Sequence, residues 1–105
     1  MESEPAIRNM GEILALDGID AAFVGPADLS MSMGVAAGSD EVDRLATSAL
    51  AAAAAAGVPI GTASATIDQA RAALARGYDY VVVSNDTSIL ASGGQAIVNA
   101  LRAAR

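Results

Sequence analysis

The side chains able to do chemistry in this sequence form a short inventory. There is no cysteine and no histidine, and all 6 basic residues are arginine. Disulfides, thiolate nucleophiles and Cys-based zinc sites are therefore excluded. So is the commonest general base near neutral pH, and with no lysine there is no Schiff base on this chain. Carboxylates, hydroxyls, arginine and backbone amides remain, a set that favours a hard, oxygen-coordinated cation if any metal is used.

The candidates stand where strand patterns give way to turns, because parallel α/β architectures bind ligands beyond the carboxyl ends of their strands. They are Glu2, the turn Gly25-Pro26-Ala27-Asp28, the stretch from Gly61 to Ser64 and the stretch from Ser84 to Thr87. Gly25, Pro26 and Ala27 let a ligand approach the backbone and leave the amides of Ala27 and Asp28 free to donate to a carboxylate. By itself Asp28 reads first as the cap of a short helical turn at Leu29-Ser30, a role asparagine or serine would fill equally well. Taken alone, Glu2 reads as a solvated charge at a frayed end. Asp86 has the chemistry for a metal or a phosphate and also for capping the last helix, a role Thr87 shares. Ser64 and Thr66 read as caps, since no base is present to activate them. Met10, Met31 and Met33 read as gap-filling packing.

The elements that must position these residues alternate. Pro5 suits a first helical turn, with Ile7, Met10, Ile13 and Leu14 recurring at helical spacing up to the break at Asp17-Gly18. Ala21-Ala22-Phe23-Val24 is a short apolar strand, ended by Gly25-Pro26 and followed by a loop through Met31, Gly34 and Gly38. Ser39 caps a helix with Asp40, Glu41 and Asp43 in its first turn, running through an alanine tract to Gly57. Val58-Pro59-Ile60-Gly61 reads as the next strand. Thr66 caps a helix with Ile67, Ala70 and Leu74 inward and Arg71 and Arg76 outward, ended by Gly77. Tyr80 to Val83 is the clearest strand. A final helix from about Thr87 carries Ile89, Leu90, Ile97, Val98 and Leu101.

This α-β-α-β-α-β-α pattern calls for a parallel sheet, and roughly thirty residues per unit is the length of a βα crossover. Three complete strands are few for a doubly wound domain, so the expectation is a piece of a larger barrel. The composition agrees with one partial domain over residues 1–105: 53% of the chain is hydrophobic, enough to exclude disorder, yet only 3% is aromatic. About a quarter is alanine, which buries little area per residue, so an independent core is thin. The net charge of −6 argues against nucleic acid or an anionic membrane as partner. No apolar run is long enough to span a bilayer. The N-terminal residues lack a signal-peptide pattern, which makes a cytoplasmic location the expectation.

The segment Asp20-Ala21-Ala22-Phe23-Val24-Gly25-Pro26-Ala27-Asp28-Leu29-Ser30 is specific enough to compare. It closely resembles the signature of the HpcH/HpaI family, the metal-dependent class II pyruvate aldolases. Met1-Glu2-Ser3 resembles that family's hydrophobic-Glu-Ser/Thr strand end, and Asn9 and Ile13 fall at matching positions. Gly57 to Gly61 and Gly77 to Thr87 resemble the last two strands. The similarity runs over essentially the whole chain but reaches only the C-terminal half of the family's domain.

The resemblance implies the C-terminal half of a (β/α)8 TIM barrel of the phosphoenolpyruvate/pyruvate-binding type, about its last three and a half βα units. It implies Mg²⁺, Mn²⁺ or Co²⁺ as cofactor, pyruvate or another 2-oxo acid as ligand, and retro-aldol cleavage of a 4-hydroxy-2-oxo acid to pyruvate and an aldehyde. The family's two metal-binding carboxylates match Glu2 and Asp28, at the family's spacing. Gly25, Pro26, Ala27 and Asp28 match its substrate-binding turn, where the amides of Ala27 and Asp28 would hold the substrate carboxylate. Ala63, in the pair Thr62-Ala63 that replaces a bulkier apolar pair, falls near the aldehyde side. The family's enolate-stabilising arginine and the histidine of its base belong to the N-terminal half and have no counterpart here. Arg8 and Arg44 fall on helices. Members are homo-oligomers that exchange or pack their last helix across an interface, and the apolar positions of the final helix fit that role as well as docking on their own barrel. The same resemblance leaves room for citrate-lyase β-like or phosphoenolpyruvate chemistry, or for an inactive remnant that needs a missing N-terminal half.

Overall fold

Small residues set the element boundaries in the computed structural model, which describes residues 1–105. The order is α1 (Glu4–Arg8), α2 (Met10–Leu14), β1 (Ala22–Val24), α3 (Pro26–Met33), α4 (Asp40–Ala56), β2 (Ile60–Ser64), α5 (Ile67–Arg76), β3 (Tyr80–Val83) and α6 (Asp86–Ala103). Gly57 and Gly77 close α4 and α5 in the left-handed region, at φ 66° and 115°, where a side chain would be strained. Ser39 and Thr66 cap those helices, their hydroxyls accepting from the amides of Val42 and Gln69.

The sheet has 3 strands in the order β1-β2-β3, all parallel. Ala22 lies opposite Ile60, and Gly61 opposite Tyr80. Met1 continues this sheet beyond β1: its amino group donates to Phe23 O (2.7 Å) and its carbonyl accepts from Gly25 N (3.3 Å). Those two bonds are the pattern of a parallel pairing that flanks Val24. The strand order never reverses, so right-handed crossovers place the connecting helices on one face of the sheet.

That face holds the core. Ala22 and Val24 of β1 and Ile60 of β2 pack against Ile7, Met10, Leu14, Leu29, Val42, Ala49, Ala53 and Tyr78. Burial pushes the Tyr78 phenol above its ordinary pKa, the Arg76 guanidinium pulls it partly back, and Asp43 adds to the rise. The opposite face carries Phe23, Tyr80 and Val82, with Val82 53% exposed. Tyr80 lies flat across β2. Its hydroxyl donates to Ala22 O on β1 (2.6 Å), and its ring sits over Gly61, 6.2 Å from the ring of Phe23.

Several expectations need correcting. The first helix is broken at Asn9 (φ −90°, ψ 4°), although Ile7, Met10 and Leu14 still reach the core. The expected loop after Pro26 is a helix of 8 residues, because Pro26 at its first turn and Gly34 in the left-handed region at its end define α3 between them. β2 begins at Ile60 rather than Val58, since Pro59 has no amide to give the ladder. In α5 only Ala70 is buried. Ile67 and Leu74 are 66% and 51% exposed, because the helix docks through its alanines. Arg76 is not a free outward charge; it donates to Asp43 and Thr47 of α4. Met10 is buried, but Met31 is 79% exposed and fills no gap.

α6 is the outlier. It has 18 residues and buries none of them. Leu90 and Leu101 are 79% and 66% exposed, and the long axis of the molecule is 60 Å against 28 and 22 Å for the others. The helix does not dock on its own sheet. No helix is long and apolar enough to cross a membrane.

Candidate functional site

The turn after β1 builds the site from backbone chemistry. Pro26 has no amide, and Gly25 caps α3 with no side-chain bond. The amides of Ala27 and Asp28 fall in the first turn, where helix geometry supplies no partner, and neither donates within the chain. Two donors with the positive end of a helix behind them suit a carboxylate. Ser30, buried in the next turn, donates to Ala27 O (2.7 Å) and so fixes that peptide. Behind the turn, the buried Thr62 hydroxyl donates to Val24 O (3.0 Å) and ties the end of β1 to β2.

Glu2 and Asp28 come together over Gly25. A Cβ placed on Gly25 would lie 3.1 Å from Asp28 Oδ2, 3.4 Å from Glu2 Cγ and 3.7 Å from Glu2 Oε1. The backbone there is ordinary extended chain (φ −97°, ψ 94°), which any residue adopts. Glycine is thus required for the room it leaves, not for its conformation. Neither carboxylate takes part in an ion pair; the three in the chain are Arg8–Glu4, Arg71–Asp68 and Arg76–Asp43. No third His, Cys, Asp or Glu joins them to make a larger cluster. Two hard oxygen donors facing one small space, without a counter-charge, fit a divalent cation whose remaining positions go to substrate and water.

Asp28 is the third residue of α3 and not its cap, which corrects the alternative reading of this residue. Ala63 is exposed at the carboxyl end of β2 and lines an open cavity with Pro26, Ala27, Ser64 and Ser84. Asp86 does not cap the last helix: Asn85 does, its Oδ1 accepting from Ser88 N (2.8 Å), while Asp86 Oδ1 accepts from Thr87 N. Ser64 is not a cap either; it ends β2. Arg8 pairs with Glu4 on α1, and Arg44 lies beside it on the outer helical surface. Ser84 opens the stretch from Ser84 to Thr87 that the sequence singles out, whereas Ser88, inside the first turn of α6, lies just beyond it.

An acidic pair and free backbone amides thus stand together at the carboxyl end of a parallel sheet. Residues 1–92 match the HpcH/HpaI aldolase/citrate lyase family, and the chain belongs to that family. It is 41% identical over 91 residues to a 2-keto-3-deoxy-L-rhamnonate aldolase of Escherichia coli, an alignment covering 85% of this chain and 34% of the relative. An HpcH/HpaI aldolase/citrate lyase family protein from Burkholderia cenocepacia superposes with TM-score 0.91 at 32% identity, over 96% of this chain and 40% of that one. An HpcH/HpaI aldolase from Desulfitobacterium hafniense does so with TM-score 0.86 at 27% identity, over 97% and 40%. The chain thus spans about a third of the length of the curated relative it matches.

Proposed function

We propose that these residues form the metal- and pyruvate-holding part of a (β/α)8 barrel that cleaves 4-hydroxy-2-oxo acids to pyruvate and an aldehyde. The observation that carries this reading is the convergence of Glu2 and Asp28 on the space above Gly25. Glu2 and Asp28 would hold Mg²⁺, Mn²⁺ or Co²⁺. When bound, such an ion supplies the Lewis acidity that draws charge from C2 of a chelated 2-oxo acid. The Ala27 and Asp28 amides orient the substrate carboxylate, and Ser30 keeps the Ala27 peptide from turning away. No lysine is needed for such a route.

The barrel reading rests on the sheet. Its order does not reverse, its helices lie on one face, and its other face is bare. The remaining strands, together with the proton acceptor and an arginine facing the reacting carbon, lie outside the 105 residues in this proposal, since Arg8 and Arg44 stand on the outer helices. Calorimetric titration with pyruvate tests the reading. Binding that appears only with Mn²⁺ present is the expected result, and Mn²⁺-independent binding or none overturns it.

A second copy of the chain is the proposed partner of α6. The helix buries nothing at home, while Ile67 and Leu74 of α5 and Val83 of β3 stand exposed. An apolar helix face and an uncovered apolar flank in one molecule are complementary between two. Sedimentation should therefore show a defined oligomer that Ile97→Asp with Leu101→Asp reduces to monomer. A native monomer would rule the exchange out.

A further inference from the structure

The carboxyl end of β3 holds a residue that the chemistry above does not use. Ser84 is the only non-glycine residue with positive φ, at 61°, a region most side chains avoid. Its amide is fixed by Ser64 O (2.9 Å). Ser84 lines a cavity of about 790 Å³ together with Pro26 and Ala27, which precede Asp28 in the turn, and with Ala63, Ser64, Asn85 and Ser88. Most helical hydroxyls of this chain bond back to a carbonyl, as those of Ser30, Thr47, Ser48 and Ser92 do. The hydroxyls of Ser64, Ser84 and Ser88 have no such partner. Three hydroxyls without a partner in the chain thus line one cavity, which Gln69 and Asn85 share and whose other lining residues are small or apolar.

Resting on the proposed 2-oxo acid site, we propose that Ser84 is a specificity-determining residue: with Ser64 and Ser88 it recognises hydroxyl groups on the substrate tail beyond C4. A hydroxyl offers one donor and two acceptor positions, so three of them match a polyhydroxylated chain and leave an alkyl chain unpaired. An alkyl tail is the poorer occupant, since it would displace water from these solvent-accessible hydroxyls without replacing its bonds.

The probes are 5,6-dihydroxy-2-oxohexanoate and 2-oxohexanoate, titrated calorimetrically with Mn²⁺ present. Neither has a 4-hydroxyl, so retro-aldol cleavage consumes neither. Hydrogen bonding of this kind predicts that the dihydroxy acid binds about tenfold more tightly. Ser84→Ala should bring the two affinities together and leave pyruvate binding unchanged. Ser84→Gly should do the same while raising the melting temperature, because it also relieves the positive φ. Equal affinities in the native chain, or a preference that survives Ser84→Ala, would overturn the proposal with pyruvate binding intact. Loss of Mn²⁺-dependent pyruvate binding in the native chain overturns the underlying site, and this proposal with it.

Discussion

Asp28→Asn is expected to lower Mn²⁺ affinity about 100-fold, near 2.7 kcal/mol, while leaving the melting temperature almost unchanged. Asparagine keeps the size of the side chain and removes its charge. The carboxylate makes no bond within the chain, so nothing in the fold depends on it. Helix α3 is defined by Gly25, Pro26 and Gly34, none of which is altered. Glu2→Gln should weaken binding in the same direction. Gly25→Ala is the more searching variant, because its Cβ would arrive 3.1 Å from Asp28 Oδ2. The carboxylate end can swing aside cheaply, so the fold survives and the paired geometry does not. Retention of Mn²⁺ by both Asp28→Asn and Gly25→Ala would remove the site from this turn.

Gly61→Ala should have the largest effect on stability. A Cβ at Gly61 would overlap the ring of Tyr80, and that ring cannot retreat without breaking its bond to Ala22 O. Overpacking of this kind, joined to a lost hydrogen bond, costs about 3 kcal/mol. For a domain of this size that lowers the melting temperature by about 12 °C or more. Tyr80→Phe alone loses only the hydroxyl bond, about 1 kcal/mol. Adding Tyr80→Ala to Gly61→Ala should recover part of the deficit, because the overlap disappears. A Gly61→Ala chain that melts like the native one would show that the ring does not lie over β2.

What the sequence made legible follows from how local each signal is. α4 was readable at both ends because Ser39 and Gly57 act within one turn of their own position. β3 was readable because a run of β-branched residues after Tyr80 has no helical alternative. α3 was missed because its cap is a glycine without a side-chain bond and its only buried apolar residue is Leu29; Pro26 and Gly34 together were the signal available. The inward face assigned to α5 failed for a different reason. Periodicity marks an apolar face, but whether Ile67 and Leu74 meet anything depends on a neighbour far away in sequence or in another chain. The convergence of Glu2 and Asp28 was reached through family resemblance. Nothing local to Glu2 announces that Met1 pairs alongside β1 and carries the carboxylate to Gly25.

The N-terminus of α6 has a consequence for cooperativity. Asn85 and Ser88 belong both to the cavity and to the first turn of the undocked helix. Whatever seats that helix also sets the far wall of the cavity. Under the proposed exchange, assembly and substrate-tail recognition draw on the same residues, so each must change the equilibrium of the other by an equal factor. Ligand would then tighten the oligomer, and dilution would loosen the grip on ligand without any change at the acidic pair.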